Sequence, residues 1–199
     1  MKAIMRIEPR RLVNAWVALE PIEEAHREAT RAAASDPAIW RHWPRAVMED
    51  FDAAFDRQLG EHADGSWMIF TVTPPDGRIA GQTCYLAFRP EHAGVEVGGT
   101  WYAPHAQGGA VNPAAKLLML GHAFDSGAER VELKTDALNA RSRAAMLKMG
   151  AKFEGVFRRH MRRKDGTWRD TAWYSFIRED WPGVRAGLET RLAALGLSA

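Results

Sequence analysis

The chain has 199 residues, of which 46% are hydrophobic and 26% charged, and its formal net charge is +2. This composition is typical of one globular domain, and the near-neutral charge argues against nucleic-acid or membrane-surface partners. The single cysteine, Cys84, excludes an internal disulfide and a thiolate metal cluster. No run approaches the roughly 18 apolar residues of a membrane span, and none follows the basic N-terminus. We therefore expect a cytoplasmic protein without a signal peptide.

The first third of the chain predicts one strand and two helices. Leu12–Leu19 is rich in Val, Leu and Trp and predicts the strand. Pro21 suits the first turn of a helix that we expect to run to about Ser35. After a loop at Trp40–Pro44, the apolar spacing over Phe51–Leu59 predicts the second helix.

The middle of the chain predicts a hairpin, a strand and a helix that follows a loop of small residues. Strands at Ser66–Thr73 and Ile79–Phe88 flank a four-residue Pro-Pro-Asp-Gly turn. A strand at Val95–Tyr102 precedes the loop Gln107-Gly108-Gly109-Ala110. Asn112 and Pro113 are suited to be the N-cap and first residue of the helix, which we expect to end near Ser126.

The last third predicts a strand, a helix, a hairpin and a C-terminal helix. A Lys-Asp-Gly turn between the two hairpin strands is a strong hairpin signal. Together the elements predict a mixed α/β sheet of about six to seven strands with helices on both faces. We expect one domain over residues 1–199, with its core at 12–177 and a C-terminal helix at 180–195. The predicted bounds in this third are Arg130–Thr135, Asn139–Met149, Phe153–Arg163, Thr167–Ile177 and Asp180–Leu195.

The strand, loop and helix between Val95 and Phe124 predict an anion site. Small residues let a ligand approach the backbone, and a helix start offers unpaired N–H groups and a positive dipole end, which suits a pyrophosphate. A tight turn that merely needs glycine explains the pattern equally well. The chain lacks a P-loop, a dinucleotide fingerprint, a serine elbow and a zinc-binding helix, so we expect no metal.

At these motifs the sequence resembles the GNAT family of acyltransferases. Glu96–Trp101, followed by Gln107-x-x-x-Val111-Asn112, is similar to the family's core strand and pyrophosphate loop. Asn139-x-x-Ser142 and the later Gly150 are similar to its Asn-x-x-Ser helix and closing glycine. The opening Leu-Glu-Pro strand resembles the branch of ribosomal-protein N-terminal acetyltransferases (RimJ/RimL type).

The resemblance implies that two parallel strands, here Val95–Tyr102 and Arg130–Thr135, splay apart and hold acetyl-CoA between them. It further implies direct transfer of the acetyl group to a primary amine in a ternary complex. The amine would belong to a protein N-terminus or a small molecule, and the branch leads us to expect a homodimer. The implied CoA contacts are Trp101, Tyr102, Ala103, Gln107, Gly108, Gly109, Ala110, Val111, Asn112, Asn139 and Ser142.

Two positions depart from the family pattern. Ala110 stands where the family has the central glycine of the loop, and alanine costs on the order of 1 kcal/mol if that position needs a positive φ. Met146 stands where many members have a tyrosine. These departures suggest an alternative, a CoA-binding sensor or scaffold without turnover.

Three residues are candidates for catalysis, which requires a base, an oxyanion site and a proton for the leaving thiolate. Glu96 is the candidate base, because it lies in an apolar strand; the alternative is a solvent-facing or arginine-paired glutamate. Ser142 is the candidate acid by its branch resemblance, with helix capping as the alternative. His160 is a second candidate base if its strand turns it inward.

The segment Arg158–Lys164 is the most basic in the chain. It predicts an edge hairpin protected by charge, or alternatively a site for an acidic substrate or for the 3′-phosphate of CoA. An RNA-binding module using this segment would show steep salt dependence, which the total charge disfavours. Trp40 and Trp43 predict either core packing or the wall of an acceptor pocket.

Overall fold

The computed structural model describes residues 4–43, 49–163 and 165–196, so Pro44 and Lys164 of two predicted loops lie outside it. Eight strands form one sheet in the order β1-β2-β3-β4-β5-β6-β8-β7. The strands are β1 (Leu12–Val13), β2 (Ala18–Pro21), β3 (Trp67–Thr73), β4 (Gly81–Arg89), β5 (Gly94–Tyr102), β6 (Arg130–Asp136), β7 (Lys152–Arg162) and β8 (Trp168–Ile177). The helices are α1 (Arg27–Ala33), α2 (Phe51–Ala63), α3 (Val111–Asp125), α4 (Ala140–Lys148) and α5 (Trp181–Leu195).

The sheet is mixed, because β5 and β6 run parallel while the other paired strands run antiparallel. Successive side chains of a strand point to opposite faces, and this alternation builds two cores. Val95 and Val97 of β5 pack in one core with α3, α4 and α5. Leu86 of β4 packs in the other core with α1 and α2, which contribute Ala33 and Phe55. The predicted α/β class with helices on both faces is confirmed.

The predicted first strand is wrong in one respect, because the chain turns within it. The Asn14 side chain accepts hydrogen bonds from the N–H groups of Trp16 and Val17, both at 3.0 Å, and so separates β1 from β2. This turn is one reason why the sheet has eight strands and not six to seven. Pro21 does not begin a helix either: it ends β2 opposite Phe70, and the first helical turn begins at Glu24.

One predicted boundary in the middle of the chain also moves. The turn predicted after β3 is present, with the Gly77 N–H bonded to the Pro74 carbonyl at 3.0 Å. However, β4 begins at Gly81 and not at Ile79, so the connection between β3 and β4 is longer than four residues.

None of the helices among the described residues is long and apolar enough to cross a membrane.

Candidate active site

The parallel strands β5 and β6 pair over three residues only. The pairs are Gly94 with Arg130, Val95 with Val131 and Glu96 with Glu132. Beyond Glu96 the strands separate, and a cavity of about 630 Å³ opens between them. Side chains from both faces of the sheet line this cavity, so it passes through the sheet. The splayed strand pair is therefore present.

A β-bulge shapes β5 where it borders the cavity. Gly99 and Thr100 together face Thr83 of β4, because Cys84 pairs with Gly98 and Gln82 pairs with Trp101. Gly99 has φ of +52°, and a Cβ there would lie 2.5 Å from the Cys84 sulfur, so only glycine fits. A bulge takes its extra residue out of the regular strand pairing and bends the strand, here beside the cavity.

The helix start that was predicted to be an anion site is the start of α3, and it lies two residues earlier than expected. Its N-cap is Ala110, not Asn112, and no side chain caps the helix. The amides of residues 110–112 therefore have no acceptor within the helix, and Pro113 has no N–H to satisfy. Gly108 carries the left-handed conformation of the loop, with φ of +82°, whereas Ala110 has φ of −75°. The alanine is accordingly unstrained.

The implied CoA contacts divide into two groups. Ala103, Ala110 and Val111 do not line the cavity. Ala110 and Val111 could therefore contact CoA only through their backbone amides. The Ala103 amide already donates to the Ala80 carbonyl at 2.8 Å, and its carbonyl accepts from the Ala106 amide at 3.0 Å. The structure therefore gives Ala103 no free amide for a ligand. Those that line the cavity are Trp101, Tyr102, Gln107, Gly108, Gly109, Asn112, Asn139 and Ser142.

A chain of side-chain hydrogen bonds fixes the loop before α3. Gln107 donates through Nε2 to the Tyr102 carbonyl at 2.7 Å and accepts at Oε1 from Arg141 Nη1 at 2.6 Å. The loop is thus tied to β5 and to α4. Arg141 also lines the cavity, so its guanidinium adds positive charge beside Gln107.

The start of α4 distinguishes the roles predicted for Asn139 and Ser142. Asn139 is the N-cap, and its Oδ1 accepts a hydrogen bond from the Ser142 N–H at 3.0 Å. The capping side chain is therefore that of Asn139, not that of Ser142. Ser142 is half-buried at the cavity wall, where its hydroxyl can reach a ligand.

Glu96 lies at the last β5–β6 pair, where the cavity begins. It is 2% exposed, and its Oε2 accepts a hydrogen bond from Lys134 Nζ at 2.6 Å. Burial raises the pKa of Glu96, and the nearby Lys134 opposes that rise only in part. A Cβ on Gly98 would lie 2.9 Å from Glu96 Oε1, so this glycine makes room for the carboxylate. Glu96 is thus neither solvent-facing nor paired with arginine.

His160 does not belong to the site, contrary to the prediction. It is exposed, does not line the cavity, and its Nδ1 lies 3.1 Å from Thr171 Oγ1. A bulge in β7, where Arg159 has φ of +50°, turns it away. β7 is an edge strand of the sheet, which confirms the edge hairpin predicted for the basic segment.

The aromatic loop after α1 contributes one side chain to the core and one to the cavity. Trp40 is buried, donates through Nε1 to the Ala34 carbonyl at 2.9 Å and packs 5.2 Å from the Trp101 ring. Trp43 lines the cavity on the α2 side together with Trp67. Core packing is therefore confirmed for Trp40, whereas Trp43 lies at the cavity wall, where the acceptor-pocket interpretation stays a prediction.

Lys116 of α3 was not among the predicted site residues. It is 4% exposed and lines the cavity, and its Nζ donates to Thr100 Oγ1 at 2.7 Å and to Thr83 Oγ1 at 3.1 Å. Burial lowers its pKa to about 8. The only sequence signal is a lone charge within the apolar run Ala114–Leu120. No group of His, Cys, Asp and Glu able to hold a metal occurs among the described residues.

Three solved structures show the same fold. A protein from T. thermophilus assigned as an acetyltransferase is 37% identical, with a TM-score of 0.85 over 94% of this chain and 100% of its own. A GCN5-related N-acetyltransferase from Brucella melitensis is 26% identical, with a TM-score of 0.86 over 96% and 92%. Mycobacterium smegmatis RimJ, in complex with CoA-disulfide, is 22% identical, with a TM-score of 0.78 over 94% and 96%.

The sequence itself matches a family model. Residues 17–152 match the acetyltransferase (GNAT) domain, which is more than half of the chain. No curated protein sequence matches at a significant level. The match covers β2 to the start of β7 and so includes the splayed strands, the loop and the start of α3. The chain therefore belongs to the GNAT family of acetyltransferases.

Proposed function

We propose that this protein is an acetyl-CoA-dependent N-acetyltransferase that passes the acetyl group directly to a primary amine in a ternary complex. The observation that carries the proposal is the continuous cavity through the sheet. It has free loop amides at one end and the buried carboxylate of Glu96 beside the gap between the strands. Both substrates could bind at once, from opposite faces, so no covalent enzyme intermediate is required.

In this proposal, acetyl-CoA binds along β5. Its pyrophosphate accepts hydrogen bonds from the amides of residues 110–112, while Gly108 and Gly109 allow close approach and Arg141 supplies charge. Its pantetheine arm lies between the splayed strands, next to Trp101 and Tyr102, with Asn139 and Ser142 on the far side. The structure of the similar M. smegmatis RimJ in complex with CoA-disulfide supports a ligand of the CoA class.

The proposed chemistry uses groups at the mouth of the gap. An alkyl amine with a pKa of ~10.4 must lose a proton before it attacks, and Glu96 accepts that proton directly or through water. The raised pKa of Glu96 makes it a better base than an ordinary carboxylate. Backbone N–H groups at the bulge of Gly99 and Thr100 stabilise the oxyanion. Ser142 lies where its hydroxyl can interact with the departing sulfur.

The acceptor would enter from the α2 side of the cavity. The walls there include aromatic Trp43 and Trp67 and the charged side chains of Glu61 and Arg57. Aromatic walls suit the apolar body of an amine, and a carboxylate suits its ammonium group. A protein N-terminus and a small-molecule amine both satisfy this description. We also propose a cytoplasmic homodimer, in keeping with the buried free thiol of Cys84 and with the branch that the sequence resembles.

The test is release of free thiol from acetyl-CoA in the presence of a panel of amines and N-terminal peptides. We expect turnover with at least one amine and an acetylated product by mass spectrometry. Glu96→Gln should lower kcat/KM by about 10²-fold or more. Stabilisation of the protein by CoA without transfer to any amine would overturn the proposal in favour of a CoA-binding scaffold.

A further inference from the structure

Lys116 is a buried cation without a carboxylate partner. Its Nζ contacts two threonine hydroxyls, and no ion pair joins it to a carboxylate among the residues that the structure describes. An interaction with Cys84 opposes the effect of burial on the pKa of Lys116, but burial raises the pKa of that thiol, so it stays neutral and supplies no counter-charge. An ammonium is costly to bury without a counter-charge, and such groups concentrate at functional sites.

The position of Lys116 relative to the bulge suggests what it does. Thr100, which accepts the shorter of its two hydrogen bonds, is one of the two bulge residues of β5. The thioester carbonyl is proposed to bind at that bulge. An ammonium has three N–H donors, and the threonines take two of them. The third has no partner among the described residues, and the side chain borders the cavity.

Three other side chains that line the cavity are weaker proton donors. Burial raises the pKa of the Tyr102 phenol. Met146 of α4 lines the cavity and has no proton to donate. The Ser142 hydroxyl does not ionise in the physiological range. A thiol has a pKa of ~8.5, and burial lowers the pKa of Lys116 to about 8. Transfer of a proton between two groups of nearly equal pKa has almost no free-energy cost, so Lys116 is well matched to a CoA thiolate.

We propose that Lys116 is a catalytic residue that protonates the sulfur of CoA as the thioester breaks. The amine nitrogen forms a bond to the acetyl carbon, and the C–S bond breaks with its electron pair on sulfur. The Lys116 ammonium gives that sulfur a proton and becomes a neutral amine. The acceptor ammonium gives one proton to Glu96 before the attack, and its nitrogen loses a second proton to water as the amide forms. Exchange with water then returns Glu96 to its carboxylate and Lys116 to its ammonium form. This assignment rests on the proposed acetyl transfer.

The test compares the wild-type protein with Lys116→Met, which removes the charge and keeps an unbranched side chain. Lys148→Met is the matched control, because Lys148 is an exposed lysine on α4. We expect Lys116→Met to lower kcat by about 10²-fold. The dissociation constant of CoA should stay within a few-fold of the wild-type value. Thermal stability should not fall, because an unpaired buried charge has been replaced by an apolar group.

Two further measurements separate proton donation from other roles. The wild-type kcat/KM should fall as the pH rises through about 8, where Lys116 of the free enzyme loses its proton, whereas Lys116→Met should lack this limb. Lys116→Arg keeps the charge but cannot release a proton, so it should be as slow as Lys116→Met if it remains folded. Activity of Lys116→Arg near the wild-type level would overturn proton donation.

Other results would also overturn the assignment. An active wild type matched by Lys116→Met would remove Lys116 from the mechanism and leave the acetyltransferase proposal intact. Loss of stability and of CoA binding in Lys116→Met would indicate a structural role. A 42 Da adduct on Lys116 by mass spectrometry, the mass of an acetyl group in place of a hydrogen, would make it an acyl acceptor. Absence of any transfer by the wild-type protein would overturn both proposals.

Discussion

Glu96 and Lys116 border the same cavity from opposite faces of the sheet. Glu96 points to the face on which Leu86 packs with α1 and α2, whereas Lys116 reaches its threonine partners from α3 on the other face. In the proposed mechanism, a base and an acid so placed would serve opposite sides of a thioester held between β5 and β6. The amine would be deprotonated on one face and the thiolate protonated on the other.

The first prediction concerns pH and folding stability. The pKa of Lys116 is about 8 in the folded protein against an ordinary value of 10.5, so between these values the unfolded chain binds more protons. The free energy of unfolding of wild type minus that of Lys116→Met should therefore rise across this window, by on the order of 3 kcal/mol. Denaturant titrations at a series of pH values would measure it. A difference that is flat with pH would contradict the lowered pKa.

The effect of Lys116 is measured by the difference in the free energy of unfolding between wild type and Lys116→Met. Burial also raises the pKa of Cys84, and of Tyr85 and Tyr102, whose effects oppose that of Lys116 at high pH. These residues are present in both proteins, so their contributions largely cancel. The wild-type curve alone would mix the two opposing effects.

The second prediction concerns Lys134, the hydrogen-bond partner of Glu96. Lys134→Met leaves the buried carboxylate without its nearest cation, so the pKa of Glu96 should rise further. A base acts only when deprotonated, so the acidic limb of kcat/KM against pH should move to higher pH. The control is Lys152→Met, which removes an exposed lysine of β7 that pairs with Asp180. An unmoved limb would show that Glu96 is not the base.

The third prediction concerns the bulge at Gly99. Gly99→Ala places a Cβ 2.5 Å from the Cys84 sulfur at a backbone φ of +52°. It should lower the free energy of unfolding by roughly 1–3 kcal/mol and lower kcat, because the oxyanion donors move. Gly187→Ala is the control: Gly187 is exposed in α5, a Cβ there meets nothing within 4 Å, and stability should rise by about 0.5–1 kcal/mol. Equal behaviour of the two variants would contradict the bulge.

The fourth prediction concerns Arg141 and CoA affinity. Arg141→Ala removes both a cation beside the loop and the hydrogen bond that orients Gln107. We expect the Kd of CoA to rise about 10-fold at low salt, consistent with one charge-assisted contact, with kcat little changed. Titration calorimetry at two salt concentrations would measure it. Arg158→Ala, an exposed substitution on β7, should leave the affinity unchanged; an equal loss there would indicate only a general charge effect.

The order of elements could be predicted because periodic apolar residues and turn residues are local signals. The helix over Phe51–Ala63 and the hairpin of β7 and β8 are examples. The two wrong predictions near the N-terminus depend on single residues and not on periodic patterns. Asn14 ends β1 through its own side chain, and Pro21 is compatible with the end of a strand as well as with the start of a helix.

The site was predictable only where backbone groups or sequence motifs form it. The anion-binding loop follows from its small residues and from the helix start that comes after it. Lys116 could not be predicted, because a lysine in a helix is normally solvated and only tertiary packing buries this one. The orientation of His160 depends on a bulge that the sequence does not reveal. Glu96 was identified because a carboxylate in an apolar strand is itself unusual.

The short contact between β5 and β6 has a consequence for how the molecule responds to its ligand. It divides the sheet into a block of five strands and a block of three, joined along three residue pairs. Past Glu96, the edge of β5 borders the gap and not another strand. A pantetheine arm carries amide groups of its own, so it can form hydrogen bonds across the gap between β5 and β6 much as an added strand would. Binding of CoA should therefore make the junction between β5 and β6 more rigid. Amide hydrogen exchange should slow in both blocks of strands, including strands that do not contact the ligand.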